Sequence, residues 1–377
     1  MRLGARPDHA LWASLFLLLL SGAYALEMPV LVVLYLGTAF MLVLWRLDLF
    51  RSASNPERVL MGLFMLTLAV CLPLAAVRSV TAVFHAAEAL LAMGAAFVLT
   101  RQPERYLVAS RISLLTVQVG VFAFLCLHGW DNFPLENMIG EQSSNGITSY
   151  MIILQANYSA FNFIVRRRAS TVTSLLTLVV CIVGYGRGSI LASMGIVVIN
   201  LLSFLTLRSM SGALWRALAG LLIVGAVGML YSDDIVFFLE ANTKLGSGLF
   251  DSARERILID YAGKIDAVTF VTGADYDGTS IPSEFRGNPH NSYIRAHHIF
   301  GVFYLLALSL FPLAIFWTRK AWPVKLYCSA VLALVLFRAS TEPLLFPSLF
   351  DFYFFALFFG LSAPAFAADT AVPAGSP

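Results

Sequence analysis

Long apolar blocks separated by short polar breaks set the first limit on this chain. Leu11–Leu26 and Ile190–Leu207 carry no charged residue and approach the ~20 residues that an α-helix needs to cross a bilayer. A soluble protein would break such blocks with a recurring polar face. Of the 377 residues, 59% are hydrophobic and 12% charged, too little polar surface to cover a globule in water. Lipid is therefore the solvent for most of the chain. In lipid every backbone N–H and C=O needs an internal partner, and an uninterrupted apolar block meets that demand as a helix. The expected fold is all-α: a polytopic transmembrane helix bundle of about 12 spans with one large outer loop between spans nine and ten.

Apolar windows bounded by polar breaks place the spans at 8–26, 29–45, 59–76, 79–99, 112–129, 147–165, 170–186, 188–207, 213–231, 294–317, 323–337 and 346–366. The chain then divides into spans one to nine (1–231), an outer loop with an amphipathic helix (232–293), spans ten to twelve (294–366) and a flexible tail (367–377). Arg2, Arg6, the run Leu11–Leu20 and Ala23-Tyr24-Ala25 also resemble a cleavable secretory leader. A second apolar block begins at Pro29 almost without a spacer, which fits two tightly linked spans better. Cys71, Cys126, Cys181 and Cys328 sit in apolar blocks without CxxC spacing and read as packing residues. The net charge of +3 is small and no soluble segment interleaves basic residues with aromatics, so nucleic acid is not an expected partner.

The basic residues orient the bundle. With the N-terminus in the cytoplasm, Arg46, Arg51, Arg58, Arg101, Arg105, Arg111, Arg166, Arg167, Arg168, Arg208, Arg319, Lys320 and Lys325 fall in inner loops or at inner span ends, as the positive-inside bias requires. Both termini are then cytoplasmic. Arg78, Arg187, Lys244, Arg254, Arg256, Lys264, Arg286, Arg295 and Arg338 break the bias and all map to the outer face. A charge at the membrane costs a few kcal/mol and calls for a partner or a ligand. Ion pairs with outer acids are the expectation for Arg78, Lys244 and Lys264.

Three constellations could carry chemistry. Gly184-Tyr185-Gly186-Arg187-Gly188-Ser189 sets a lone Arg at the outer surface in a glycine-rich break, where small residues permit close approach of an anion. Ser252-Ala253-Arg254-Glu255 has capping-box spacing, with Ile257, Leu258, Tyr261, Ala262 and Ile265 following at helical intervals. That predicts a helix whose free amides and positive end, with Arg254 and then Arg256, attract an anion. Arg286-Gly287-Asn288-Pro289-His290-Asn291-Ser292-Tyr293 leads into span ten, with Arg295, His297 and His298 beyond. His suits general-base work near neutrality and Asn suits sugar hydroxyls. The paired histidines diverge on a helix, so no metal is expected. His85 with Glu88 reads as a buried polar bridge or a functional relay, and Arg338 with Glu342 as a mutual salt bridge or a substrate contact.

In this order these residues resemble the O-antigen ligase and O-antigen polymerase (Wzy-type) superfamily of bacterial membrane glycosyltransferases. Gly186-Arg187-Gly188 is similar to its [ST]-R-G element, with Gly186 in place of the hydroxyl residue. Ser252-Ala253-Arg254 is similar to its S-x-R, and Thr272-Gly273-Ala274-Asp275 occupies the place of a G-x-G segment. His290-Asn291-Ser292-Tyr293-Ile294 is similar to its H-N-[ST]-[YF]-[LI] signature. The likeness spans roughly 140–365, and before that only hydropathy matches.

The resemblance implies a bundle like the GT-C membrane glycosyltransferases, acting at the periplasmic face of the inner membrane without a metal or other cofactor. The donor would be a polyprenyl-pyrophosphate-linked glycan and the acceptor a glycan or lipid A-core. A chain-length regulator and a flippase would be working partners alongside membrane lipid. Arg187, Arg254 and His290 would be catalytic, the arginines on the pyrophosphate and His290 on the acceptor hydroxyl. Arg256, Asn291, Arg286, Tyr293 and Arg338 would bind substrate. Polymerase activity is the leading expectation and ligase activity the alternative. A flippase or other transporter is remoter, because no internal repeat is visible and the charges gather at one surface. Alkaline phosphatase fused after Gly186 or Asn288 should be active, and fused after Arg168 or Arg208 inactive; activity at Arg168 would invert the topology.

Overall fold

The computed structural model describes residues 8–25, 28–129, 134–138, 144–206 and 252–363, and among them every regular element is helical. The expected ninth span at 213–231, the first part of the outer loop with Lys244, and the tail lie outside the described residues. In chain order come α1 (His9–Leu20), α2 (Gly22–Ala25), α3 (Pro29–Trp45), α4 (Asn55–Arg78), α5 (Thr81–Thr100), α6 (Pro103–His128), α7 (Ser144–Arg166), α8 (Thr171–Val183) and α9 (Arg187–Thr206). Then follow α10 (Ser252–Ala262), α11 (Ala267–Thr272), α12 (Ser280–Glu284), α13 (Ser292–Phe300), α14 (Val302–Ala314), α15 (Trp322–Ala339) and α16 (Asp351–Ser362). Helices α4, α5, α6 and α15 are long and apolar enough to cross a membrane, and α1, α3, α8, α9, α14 and α16 are shorter apolar helices. This is a helical membrane protein.

The apolar windows coincide closely with α3, α4, α5, α7, α8, α9 and α15; α6 starts at Pro103, nine residues before the window 112–129, and three further windows differ. The window 8–26 breaks at Ser21, where the Ser21 hydroxyl caps the Leu18 carbonyl at 2.7 Å and lies 2.8 Å from the Tyr353 hydroxyl. Tyr150 also donates to the Leu18 carbonyl, at 2.8 Å. The window 294–317 is two helices, α13 and α14, because Gly301 turns the chain at φ 77°. Its missing side chain makes room for the Val271 carbonyl. The last window begins late: 340–350 is not helical, and α16 starts at Asp351, whose carboxylate accepts the Phe346 and Ser348 N–H groups at 2.8 and 3.1 Å.

Helix α7 is the axis. From Ile147 to Ile164 every residue is buried, enclosed by α2, α6, α8, α9, α15 and α16. Asn157 and Gln155 find hydrogen-bond partners within the bundle, as polar groups in lipid must, whereas the Ser149 hydroxyl has none among the described residues. Asn157 donates to Ser110 at 2.9 Å and accepts from Tyr106 at 3.0 Å. Gln155 donates to Ser159 at 2.7 Å and to Ser170 at 3.2 Å. At the start of α4 the buried Glu57 carboxylate accepts the Ser54 N–H at 2.7 Å and pairs with Arg101.

The loop segment 252–293 folds over the other end of the bundle around its own small core of Ile257, Tyr261, Ala274, Ile281 and Ile294. Leu258, expected on that face, is exposed. Arg78, at the end of α4, fastens the segment. Its guanidinium donates to the carbonyls of Gly273 at 2.6 Å, Ile299 at 3.1 Å, His298 at 3.2 Å and Thr272, where an acidic partner was expected. Lys264 likewise has no ion pair among the described residues.

Close packing of α16 on α7 depends on Gly360, where an added Cβ would lie 2.6 Å from Phe161. Gly360→Ala should cost about 1–3 kcal/mol by forcing that ring aside. Gly37→Ala, whose Cβ meets nothing within 4 Å, should gain about 0.5–1 kcal/mol from helix propensity. Thermal melts in detergent would compare them, and equal shifts would refute the close approach as the reason for Gly360.

Candidate functional site

The site is assembled by the way α13 starts. Asn291 caps that helix, its Oδ1 accepting the Tyr293 and Ile294 N–H groups at 2.8 and 3.2 Å, and its amide donates to the Ser340 carbonyl at 3.0 Å. Ser292 donates to the Glu342 carbonyl at 2.8 Å and accepts the Leu345 N–H at 3.0 Å. Tyr293 donates to the Leu336 carbonyl at 3.1 Å. These bonds staple the start of α13 to the last turn of α15 and the non-helical segment after it. One position earlier, His290 has a left-handed backbone, φ 46°, sparsely populated for a non-glycine residue. Its N–H is held by Asn288 Oδ1 at 2.8 Å.

The staple brings His290 to Glu342. His290 Nδ1 is 3.4 Å from Glu342 Oε2, Arg254 Nη2 is 3.3 Å from Oε1, and Arg338 Nη2 is 3.8 Å from Oε1. The His290 approach is an electrostatic contact without hydrogen-bond alignment. The carboxylate is 5% exposed. Burial by itself would raise its pKa, yet His290, Arg338 and Arg254 together hold it below the ordinary carboxylate value. It is a buried anion under three cationic or protonatable groups.

Those groups line a cavity of about 270 Å³ together with Arg187, Asn145 and Ser144. The starts of three helices reach it: Ser144 and Asn145 of α7, Arg187 and Gly188 of α9, and Ala253 and Arg254 of α10. Helix starts carry unsatisfied N–H groups and a partial positive charge. The turn between α8 and α9 is fixed to α7 by Ser144, which donates to the Gly184 carbonyl at 2.8 Å, and by Thr148 with Ser189 at 2.9 Å. Gly186 and Gly188 are tight positions. An added Cβ would lie 2.8 Å from Asn145 Oδ1 at the first, and at the second 2.8 Å from Thr341 Oγ1 and 3.4 Å from Arg338 Nη1. The glycines therefore let Asn145 and Arg338 close on the cavity.

Arg338 is the most informative of these residues. It is 1% exposed, donates from Nη1 to Thr341 at 2.7 Å, and has no hydrogen-bond acceptor for Nε or Nη2 among the described residues. Buried donors without acceptors are rare and costly. Here they sit in the wall of a cavity that also holds Arg187 and Arg254 and has one carboxylate beneath it. The arrangement is built to take an anion.

Of the residues singled out from sequence, Arg187, Arg254, His290 and Arg338 come together. Arg256 does not: it is exposed and forms a two-pronged pair with Glu284 at 2.9 and 3.1 Å. Asn291 and Tyr293 serve the staple, and Arg286 faces a different cavity. His85 and Glu88 do form a bridge, at 3.1 Å. Sequence reading missed the centrality of Glu342, which looked like half of an i,i+4 pair, and it missed Asn145. The signal for Asn145 was the polar run Ser143-Ser144-Asn145 at the mouth of a span. No protein family, curated protein or solved structure matches this chain.

Glu342→Gln would leave Arg338 buried without a counter-charge and should destabilise the protein by about 3–5 kcal/mol. The depressed carboxyl contributes stability in full above its ordinary pKa of 4.5 and loses it as pH falls through the lower folded value. The variant should therefore lose less additional stability than the parent on acidification below pH 4.5. Parallel acid-side profiles would show that the carboxylate is not coupled to the three groups.

Proposed function

We propose that this chain is a glycosyltransferase that polymerises polyprenyl-pyrophosphate-linked oligosaccharide repeat units into O-antigen or exopolysaccharide at the periplasmic face of a bacterial inner membrane. The observation that carries the reading is the buried Arg338 guanidinium, whose Nε and Nη2 have no hydrogen-bond acceptor among the described residues, in one cavity with Arg187, Arg254, His290 and three helix starts. A pyrophosphate is the anion that such a cavity fits in charge and donor number. The resemblance of the Arg187, Arg254 and His290 motifs to the O-antigen polymerase and ligase superfamily supports the same assignment.

In the proposed reaction an acceptor hydroxyl oxygen bonds to the anomeric carbon as that carbon's bond to the pyrophosphate oxygen breaks. The pyrophosphate leaves with the bonding electron pair, still attached to its polyprenyl carrier, and the hydroxyl proton passes to His290. Glu342 beside Nδ1 favours a proton there, which leaves Nε2 as the accepting nitrogen. Arg187, Arg254 and Arg338 neutralise the charge that grows on the leaving group, placed beforehand so that little reorganisation is needed. Direct displacement inverts the anomeric configuration.

Purified protein in nanodiscs with a defined polyprenyl-linked donor tests this. Arg187→Ala and Arg338→Gln should lower transfer by at least about a hundredfold and weaken pyrophosphate binding. His290→Ala should lose transfer while still binding pyrophosphate. Normal transfer by any of the three, or a product with retained configuration, would overturn the site assignment. Lipopolysaccharide banding in a deletion strain separates polymerase from ligase: single-repeat caps mean a lost polymerase, and loss of all capped product a lost ligase.

A further inference from the structure

The turn Phe285–His290 has a cavity on each side. Phe285 and His290 line the one described above; Arg286, Gly287, Asn288 and Pro289 line a second, of about 370 Å³. Arg286 and Arg295 both face this second cavity, and no carboxylate is among the described residues that line it. Arg286 is exposed, with no ion pair or hydrogen bond among the described residues. Arg295 donates to the Pro343 carbonyl at 3.4 Å. A lining with two guanidinium groups and no acid among the described residues suits an anion better than a metal ion, with Asp351 also acting on Arg295 from outside it.

The remaining polar groups ask for hydroxyls. Tyr276 also lines it, and its hydroxyl is buried with no hydrogen-bond partner among the described residues. Its ring stacks on His298 at 3.7 Å. His298 Nδ1 lies 2.7 Å from the Ala274 carbonyl; a carbonyl only accepts, so Nδ1 carries the proton and Nε2 of the neutral ring is an acceptor. His85 Nδ1 lies 3.1 Å from Glu88 Oε2. The cavity thus offers an imidazole nitrogen that accepts, a phenol that lacks a partner among the described residues, the His85 and Asn288 side chains and two guanidinium groups. A ligand matching that set carries hydroxyl groups and an anionic group together.

We infer that the second cavity binds the acceptor saccharide and selects one that bears an anionic substituent, a carboxylate or a phosphate ester, beside its hydroxyls. The assignment rests on the glycan-transfer reading. It adds an acceptor class that the first cavity does not specify, and it explains why cations stand on both faces of one short turn.

The test uses the full chain in phosphatidylcholine nanodiscs with saturating inorganic pyrophosphate, read by saturation-transfer NMR. The probes are a glucuronic-acid disaccharide, glucose 6-phosphate and the neutral disaccharide cellobiose. At least one acidic probe should bind about tenfold more tightly than cellobiose, the gain expected of one charge-assisted contact, and the stronger of the two identifies carboxylate or phosphate as the substituent. Arg286→Asn, which keeps a residue tolerant of the φ of 53° found there, should abolish that preference and leave pyrophosphate binding unchanged. Tyr276→Phe should weaken the acidic probe severalfold. Equal binding of acidic and neutral probes, an unaltered preference in Arg286→Asn, or displacement of the acidic probe by pyrophosphate would overturn the assignment. If pyrophosphate itself fails to bind the parent protein, the transfer reading falls and takes this inference with it. If pyrophosphate binds and the acidic preference is absent, only this inference falls.

Discussion

A single buried carboxylate organises this end of the molecule. Glu342 belongs to a stretch between α15 and α16 that is not helical, and it draws in groups from three separate parts of the chain: Arg254 from the loop helix, His290 from the turn before α13, and Arg338 from the preceding span. Each would be expensive to hold near lipid without a counter-charge. Among the described residues one acid sits under several bases, and those bases line a cavity. The same electrostatic contacts therefore hold the fold together and shape the proposed anion site.

The polar residues along α7 solve the opposite problem. Asn157, Gln155 and Ser159 form contacts that lock helices together in a medium where apolar surfaces gain little by meeting. They stay away from the cavity end and carry no charge. A rigid axis results, and α9 and α15 keep a fixed spacing around it. That spacing is what places Arg187 and Arg338 on one wall.

Much of this was legible in the residue order because lipid imposes a simple rule on it. Runs without charge became helices, and the break Gly184–Ser189, the helix at Ser252 and the turn at His290 were visible as departures from that rule. What stayed hidden depends on partners distant in sequence. Gly301 reads as an ordinary glycine within an apolar window until the Val271 carbonyl is placed against it. Ser21 reads as a tolerated polar residue until Tyr150 and Tyr353 arrive beside it. Asn291 and Tyr293 looked like ligand-binding groups because cap and staple residues share the chemistry of sugar-binding ones; only the positions of Ser340 and Leu336 separate the two roles. Arg78 was misjudged for a related reason, since four carbonyls can satisfy a guanidinium as well as an acid can.

The turn from Phe285 to His290 is six residues long and passes through the left-handed backbone region at Arg286 and at His290. Its outer residues face one cavity and its middle residues the other. One short turn thus contributes wall residues to both chambers. Along this stretch the number of residues sets which side chain meets which chamber. A change of side chain can retune either chamber, whereas an inserted or deleted residue would slide one against the other, so variation along this stretch is confined to what each residue carries and excludes how many there are.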